Sequence, residues 1–405
     1  MAEEKGKTDA LSRSNGWPSK LSRLAQNHKI IFILYILLAI VISIQEWMLT
    51  SPDDSYTHYN NYIIFRQSFL NLIEYKDLYK PHPDVYADLF KYSPSFAVLM
   101  GVFAYLPEVA GLILWNTVNA SVLFLAVKSL PAKEDKIRVA VWWFILIELV
   151  TSMQNSQSNA LIAGLIILGF CFFEKRNVAL AALMITLTVF IKIFGLAAFS
   201  MFLLYPDKKK FVLYSGLWVI LFLILPVLFV TPTQLIFLYG SWGNLLSMDY
   251  ESSTGISVMG WLHSWFYFEP SGNLITLAGI IIFCIPLFLI KRYTEFMFRL
   301  LVLCSLLIWV IIFNHKAESA TFIIATCGVA LWYFFQERSY VNFILLLLAF
   351  IFTCLSPTDL FPPGLRANFV IPYTLKAVPC ILIWLKIIYE MVTSSYHPKP
   401  GLQKI

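Results

Sequence analysis

The chain has 405 residues and a formal net charge of +6, with 59% hydrophobic and only 13% charged residues; its mean hydropathy is +0.72. Soluble domains run nearer roughly 45–50% apolar and about 25% charged, so a water-soluble globular enzyme, a disordered chain and a disulfide scaffold are all excluded. Apolarity on this scale has to face lipid, which makes the chain an all-α polytopic membrane protein.

Residues 1–29 are polar and basic (Lys5, Lys7, Arg13, Lys20, Arg23, Lys29). They read as a cytoplasmic segment, because so long a polar stretch does not suit a cleaved secretory signal. A crossing helix needs about 20 residues, and 30–49 supplies the first. Residues 50–107 form a polar, aromatic outer loop. Within it, 92–106 is apolar but short and bounded by Pro94 and Pro107, so it reads as an interfacial or re-entrant helix. Spans follow at 108–127, 138–153 and 159–173. The stretch 177–206 is basic at both flanks and too long for one span, and two short helices meeting near Lys192 resolve it. Further spans are expected at 211–231, 273–290, 298–314, 319–335, 340–355 and 376–393. Outer segments lie at 232–272 and 356–375, and 394–405 is a cytoplasmic tail. The result is one domain, 30–393, of about twelve crossings, with both termini inside the plasma (inner) membrane.

Basic clusters recur between the apolar runs: Lys128 to Arg138, Lys175-Arg176, Lys208-Lys209-Lys210, Lys291-Arg292 and Arg338. Positive charge near span ends marks the cytoplasmic side, so the charge encodes topology and implies no nucleic-acid partner. The six cysteines lie in or beside apolar stretches without metal-ligand spacing, as small core hydrophobes do. No fixed-period repeat and no symmetry of hydropathy between the halves favours a transporter built from inverted repeats.

Polar groups near a membrane mark function. The first outer loop combines Asp53 and Asp54 with Asn60, Asn61, the cations Arg66, Lys76, Lys80 and Lys91, and many tyrosines. Aromatic and amide groups together suit sugar recognition, although tyrosine also simply enriches at membrane interfaces. Asp53 and Asp54 fall just past the first span. A carboxylate there is a candidate general base, a ligand holding a divalent cation against a diphosphate, or a plain loop acid or helix cap. Lys192, between two apolar helices, calls for an anionic partner: a lipid-linked phosphate or Glu148. The turn Gln154-Asn155-Ser156-Gln157-Ser158-Asn159 offers amides that cap helices or bind hydroxyls. His315, flanked by Lys316 and Glu318, is placed to contact phosphate, shuttle protons or hydrogen-bond at the interface. Ser257 reads as the cap of a helix in the second outer loop.

Asp77-Leu78-Tyr79, then Lys91-Tyr92-Ser93-Pro94-Ser95-Phe96 through Leu106-Pro107, resembles the first-loop signature of glycosyltransferase family 87, also known as the DUF2029 domain. The likeness continues in Gln157-Ser158-Asn159, in Phe190-Ile191-Lys192, and more weakly in Ser257 and His315. The resemblance implies a GT-C-like bundle, and transfer of a mannose-like hexose from a polyprenyl-phosphate donor to a glycan or glycolipid acceptor at the outer face. An acidic first-loop residue, here Asp54 or Asp53, would deprotonate the acceptor. Lys192, His315 and Lys91 would meet the donor phosphate. Asn61, Arg66, Tyr79, Tyr92, Gln157, Asn159 and Ser257 would line the substrate site. No cofactor is required, and a divalent cation stays open. One departure stands out: where the family commonly carries an aspartate before Leu78-Tyr79, this chain has Asn61, and an amide cannot abstract a proton. A catalytically altered member, or a transporter or flippase of lipid-linked saccharides, is the alternative reading.

Overall fold

The computed structural model describes residues 22–49, 57–132, 134–248 and 254–399; Asp53 and Asp54 lie outside them. Among the described residues the regular elements are helical, apart from an isolated bridge between Gln336 and Pro398. Helix α1 (His28–Met48) shows how sequence chooses environment. Ile31, Tyr35, Ala39 and Ile42, three or four residues apart, are buried, while Ile33, Leu37, Val41 and Ile44 form an exposed apolar stripe. A helix apolar on both faces, with only one packed on protein, presents the other to lipid.

The segment expected as the first outer loop contains α2 (Asn60–Ile73), α3 (Pro94–Leu99) and α4 (Gly101–Ala104). The last two hold six and four residues, far too short for a hydrocarbon core about 30 Å thick at about 1.5 Å per residue. Ser93 caps α3 by accepting from Phe96 N at 3.1 Å, with Pro94 in the first turn, where a missing N–H costs nothing.

Then follow α5 (Glu108–Ser129), α6 (Asp135–Gln154), α7 (Asn159–Glu174) and α8 (Val178–Ile191), a 3₁₀ helix at Ile193–Leu204, and α9 (Lys208–Ile224). Beyond them lie α10 (Pro232–Met248), α11 (Val258–Phe266), α12 (Gly272–Cys284), α13 (Phe296–Ile312), α14 (Phe322–Phe334), α15 (Tyr340–Leu348) and α16 (Val378–Thr393). Among the described residues four helical stretches are long and apolar enough to cross a membrane: His28–Met48, Glu108–Ser129, Asp135–Gln154 and Lys208–Leu228. The other apolar helices are shorter, 10–17 residues. Residues 232–272, expected as an outer segment with a helix after Ser257, contain α10 as well as that helix, α11. The polar Gln234 and Ser241 of α10 are spent on contacts, to Tyr75 O at 3.2 Å and to Asp77 at 2.9 Å.

α7, α13 and α14 are buried around most of their circumference, as befits helices apolar on all sides. Gly164 lets α7 approach α5 closely: a Cβ there would stand 2.9 Å from Val122 Cγ1 and 3.0 Å from Leu123 N. Such contact needs a small residue.

Polar contacts gather at the two ends of the bundle. One end carries the turn 154–159, Lys192, the segment 313–321 and the segment containing α2, joined by Asn61, Gln157 and Asn159. The other carries Glu174 with Arg299, Trp143 with Ala25 O, and Arg292 with Met391 O.

Candidate functional site

Lys192 sits where α8 breaks. Its backbone is extended (φ −138°, ψ 124°); its N–H closes α8 on Thr188 O at 2.8 Å, and its carbonyl accepts from Gly195 N at 2.9 Å to open the 3₁₀ helix. Fourteen residues of α8 reach only about 21 Å, so the break falls within the bundle instead of beyond it. Gly195 permits this turn: a Cβ would lie 2.5 Å from Thr188 Oγ1 and 2.8 Å from Thr188 C. Gly195→Ala is expected to cost about 1–3 kcal/mol by forcing backbone apart and to shift the lysine. Unfolding midpoints of the purified variant check the first effect, and an unchanged midpoint would mean that the turn yields freely.

The Lys192 ammonium donates to Asn159 Oδ1 at 2.7 Å and, more weakly, to Gln157 Oε1 at 3.4 Å. Gln157 Nε2 donates to Glu318 at 2.9 Å, and Asn159 Nδ2 to Ala320 O at 2.9 Å. The two amides are thereby oriented with their oxygens toward the cation. Tyr92 and Phe194 each place a ring centroid 5.8 Å from Nζ. Among the described residues no carboxylate stands within ion-pairing distance of Lys192. An ammonium has three donors and no acceptor, so two amide oxygens leave it a free direction, and Glu318, linked to it through Gln157, offsets its charge only from a distance. Glu148, the intramolecular partner considered for Lys192, instead pairs with Lys376 at 2.8 Å, and Lys376 also donates to Ser319 at 2.8 Å.

The other expected site residues divide. Tyr79 is buried and donates to Tyr92 O at 3.0 Å; Asn61 donates to Asn155 O at 2.9 Å, tying α2 to the amide turn. Both join the Lys192 cluster through backbone. Arg66 lies farther along α2, its Nε buried without a hydrogen-bond partner among the described residues. The Lys91 ammonium lies 3.4 Å from Asp88. Ser257 caps α11, accepting from Met259 N at 3.1 Å and donating to Thr254 O at 2.6 Å, so its hydroxyl is occupied locally. Its loop packs on the His315 segment: Ile256 N donates to Ala317 O at 2.8 Å, and Gly255 (φ +55°) has no room for a Cβ, which would meet His315 O at 2.5 Å. Among the described residues no three His, Cys, Asp or Glu side chains cluster as metal ligands.

Burial also raises the Tyr59 and Tyr79 hydroxyls and pushes Tyr86 up to about 12. These first-loop phenols therefore stay protonated donors at neutral pH, leaving a carboxylate as the better base. The bond of Glu318 to Gln157 and the pairing of Glu148 with Lys376 were not expected from the sequence. The available signal was an ionisable residue within or beside an apolar run.

Long apolar helices with polar groups collected at the bundle ends define an integral membrane protein. The chain belongs to glycosyltransferase family 87, whose model matches residues 90–313, more than half its length; the protein is accordingly a glycosyltransferase. The match takes in Lys91, Tyr92, Gln157, Asn159, Lys192 and Ser257 and leaves out Asn61, Arg66, Tyr79 and His315. No curated protein matches the sequence.

Proposed function

We propose that the protein transfers a mannose-like hexose from a polyprenyl-phosphate donor to a glycan or glycolipid acceptor, at the end of the bundle that carries Lys192. The supporting observation is the Lys192 ammonium, held in a helix break by neutral amide oxygens with no direct carboxylate ion pair among the described residues, Glu318 standing behind Gln157. A site built this way suits the phosphate of a lipid carrier. Lys91 and His315 belong to the same end and would complete the anion site. Tyr92, Gln157, Asn159 and Arg66 supply the sugar side, with Asn61, Tyr79 and Ser257 holding the segments that carry it.

In this reading Asp54, with Asp53 beside it, takes the proton of the acceptor hydroxyl. The hydroxyl oxygen then forms its bond to the anomeric carbon as the bond from that carbon to the phosphate oxygen breaks. The leaving polyprenyl phosphate carries the developing negative charge, which Lys192 stabilises. No cofactor enters; a divalent cation against the phosphate is compatible with Asp53 and Asp54.

The abundance of Lys and Arg at the opposite end (Lys175, Arg176, Lys208, Lys291, Arg292, Arg338) supports placing that end in the cytoplasm. The Lys192 end is then outward in the plasma membrane. About twelve crossings, with both termini inside and one domain over 30–393, complete this topology.

The test incubates the purified chain with polyprenyl-phosphate mannose or glucose and candidate acceptors. Asp54→Asn should lower kcat by about 10²-fold or more, the usual worth of a general base, and Asp53→Asn by less. Full transfer by both variants would remove the base assignment. Absence of transfer from any donor would favour an altered member, consistent with Asn61 serving as a tie to Asn155.

A further inference from the structure

At the end opposite Lys192, a cavity of about 670 Å³ opens between α7, α8, the 3₁₀ helix, α9 and α13. Its wall is apolar on one side, with Phe173, Phe202 and Phe211; Phe173 stacks on Tyr205 at 4.5 Å. On the other side Arg299 grips Glu174 through two bonds of 2.6 and 2.7 Å and donates to Tyr293 O at 2.8 Å, while Tyr205 donates to Glu174 at 2.5 Å. The acids of the cavity are therefore neutralised: Glu174 by Arg299, and Asp207 by Lys210 at 3.1 Å. Two lining cations remain, Arg176 and Lys208, and neither makes an ion pair among the described residues. Arg176 also occupies a left-handed conformation (φ 57°) after α7, a place where glycine is the easy choice.

We infer that this cavity binds the phosphate of an anionic phospholipid headgroup, with Arg176 and Lys208 as the phosphate contacts and the aromatic wall against the acyl chain. The cavity combines an excess of two positive charges with an apolar wall beside α9, whose Val212, Leu213, Leu217 and Ile220 are exposed. Basic pockets of this kind, on the side of a membrane protein rich in Lys and Arg, recognise anionic headgroups. The site is separate from the Lys192 cluster, so its existence does not depend on the transfer reaction.

The experiment measures retention of phosphatidylglycerol and phosphatidylcholine by the full-length protein, using native mass spectrometry after exchange from nanodiscs of each lipid. A parallel arm titrates inorganic phosphate. Phosphatidylglycerol should bind in preference. Arg176→Gly should weaken it about fivefold, and Arg176→Gly with Lys208→Gln by about thirtyfold, from the worth of one cation near an anionic surface. Arg176→Gly relaxes the backbone while removing the charge, so a folding defect does not mask the result. Equal retention of the two lipids, unchanged binding by the double variant, or inorganic phosphate binding as tightly as phosphatidylglycerol would each overturn the assignment.

Discussion

Lys192→Ala lowers kcat/KM for transfer by roughly 10²- to 10³-fold, the equivalent of about 3–4 kcal/mol of lost contact to a partly buried charge. The size follows from the surroundings. The ammonium is held by Asn159 and Gln157, neutral groups that cannot replace its charge when it is gone. Lys192→Arg should recover part of the rate, since the charge returns with different geometry. Asn159→Ala should cost less, about tenfold, because it loosens the cation without removing it. Free polyprenyl phosphate, used as an inhibitor, should lose affinity for Lys192→Ala by a factor similar to the fall in kcat/KM. Wild-type rates in Lys192→Ala, or unchanged inhibition, would show that the donor phosphate sits elsewhere.

Lys376→Met destabilises the folded protein by about 3–5 kcal/mol, because it strands Glu148, which is fully buried, without its counter-ion. Glu148 Oε2 already has no hydrogen-bond partner among the described residues, so its charge rests on this one contact. Replacing both partners, with Glu148→Leu and Lys376→Met together, should restore much of the loss, as apolar pairs of similar volume often do. Denaturant titration of the detergent-solubilised variants gives the comparison, and a single variant as stable as the wild type would mean that Glu148 is protonated and needs no partner. Lys376 also holds Ser319, next to Glu318, so the single variant should disturb Gln157 and slow transfer as well.

Much of the fold could be read along the chain because each signal was local. The helix break at Lys192 followed from basic flanks around a stretch too long for one span, and α8 does end there. Ser257 announced its cap through the sequence after it, and the structure uses it so. Two bounding prolines led to one short helix over 92–106, where the structure has two, Pro94–Leu99 and Gly101–Ala104. What stayed hidden depends on distance along the chain. Glu148 meets Lys376 across 228 residues, and Gln157 meets Glu318 across 161. Single-sequence periodicity says which face of a helix is buried, not which other helix it finds there. α10 was not expected either, and its Gln234 and Ser241 find partners as remote in sequence, Tyr75 and Asp77.

The end of α8 is fastened to the segment before α3 on two sides: the Ser93 hydroxyl bonds Phe190 O, and the Tyr92 ring lies beside the Lys192 ammonium. The carbonyl of Tyr92 is in turn held by the phenol of Tyr79. Whatever grips that segment therefore tugs on the cation two residues past Phe190. An incoming hydroxyl compound and a carrier lipid would feel each other's arrival through this seam, so saturation by one should alter the apparent affinity for the other.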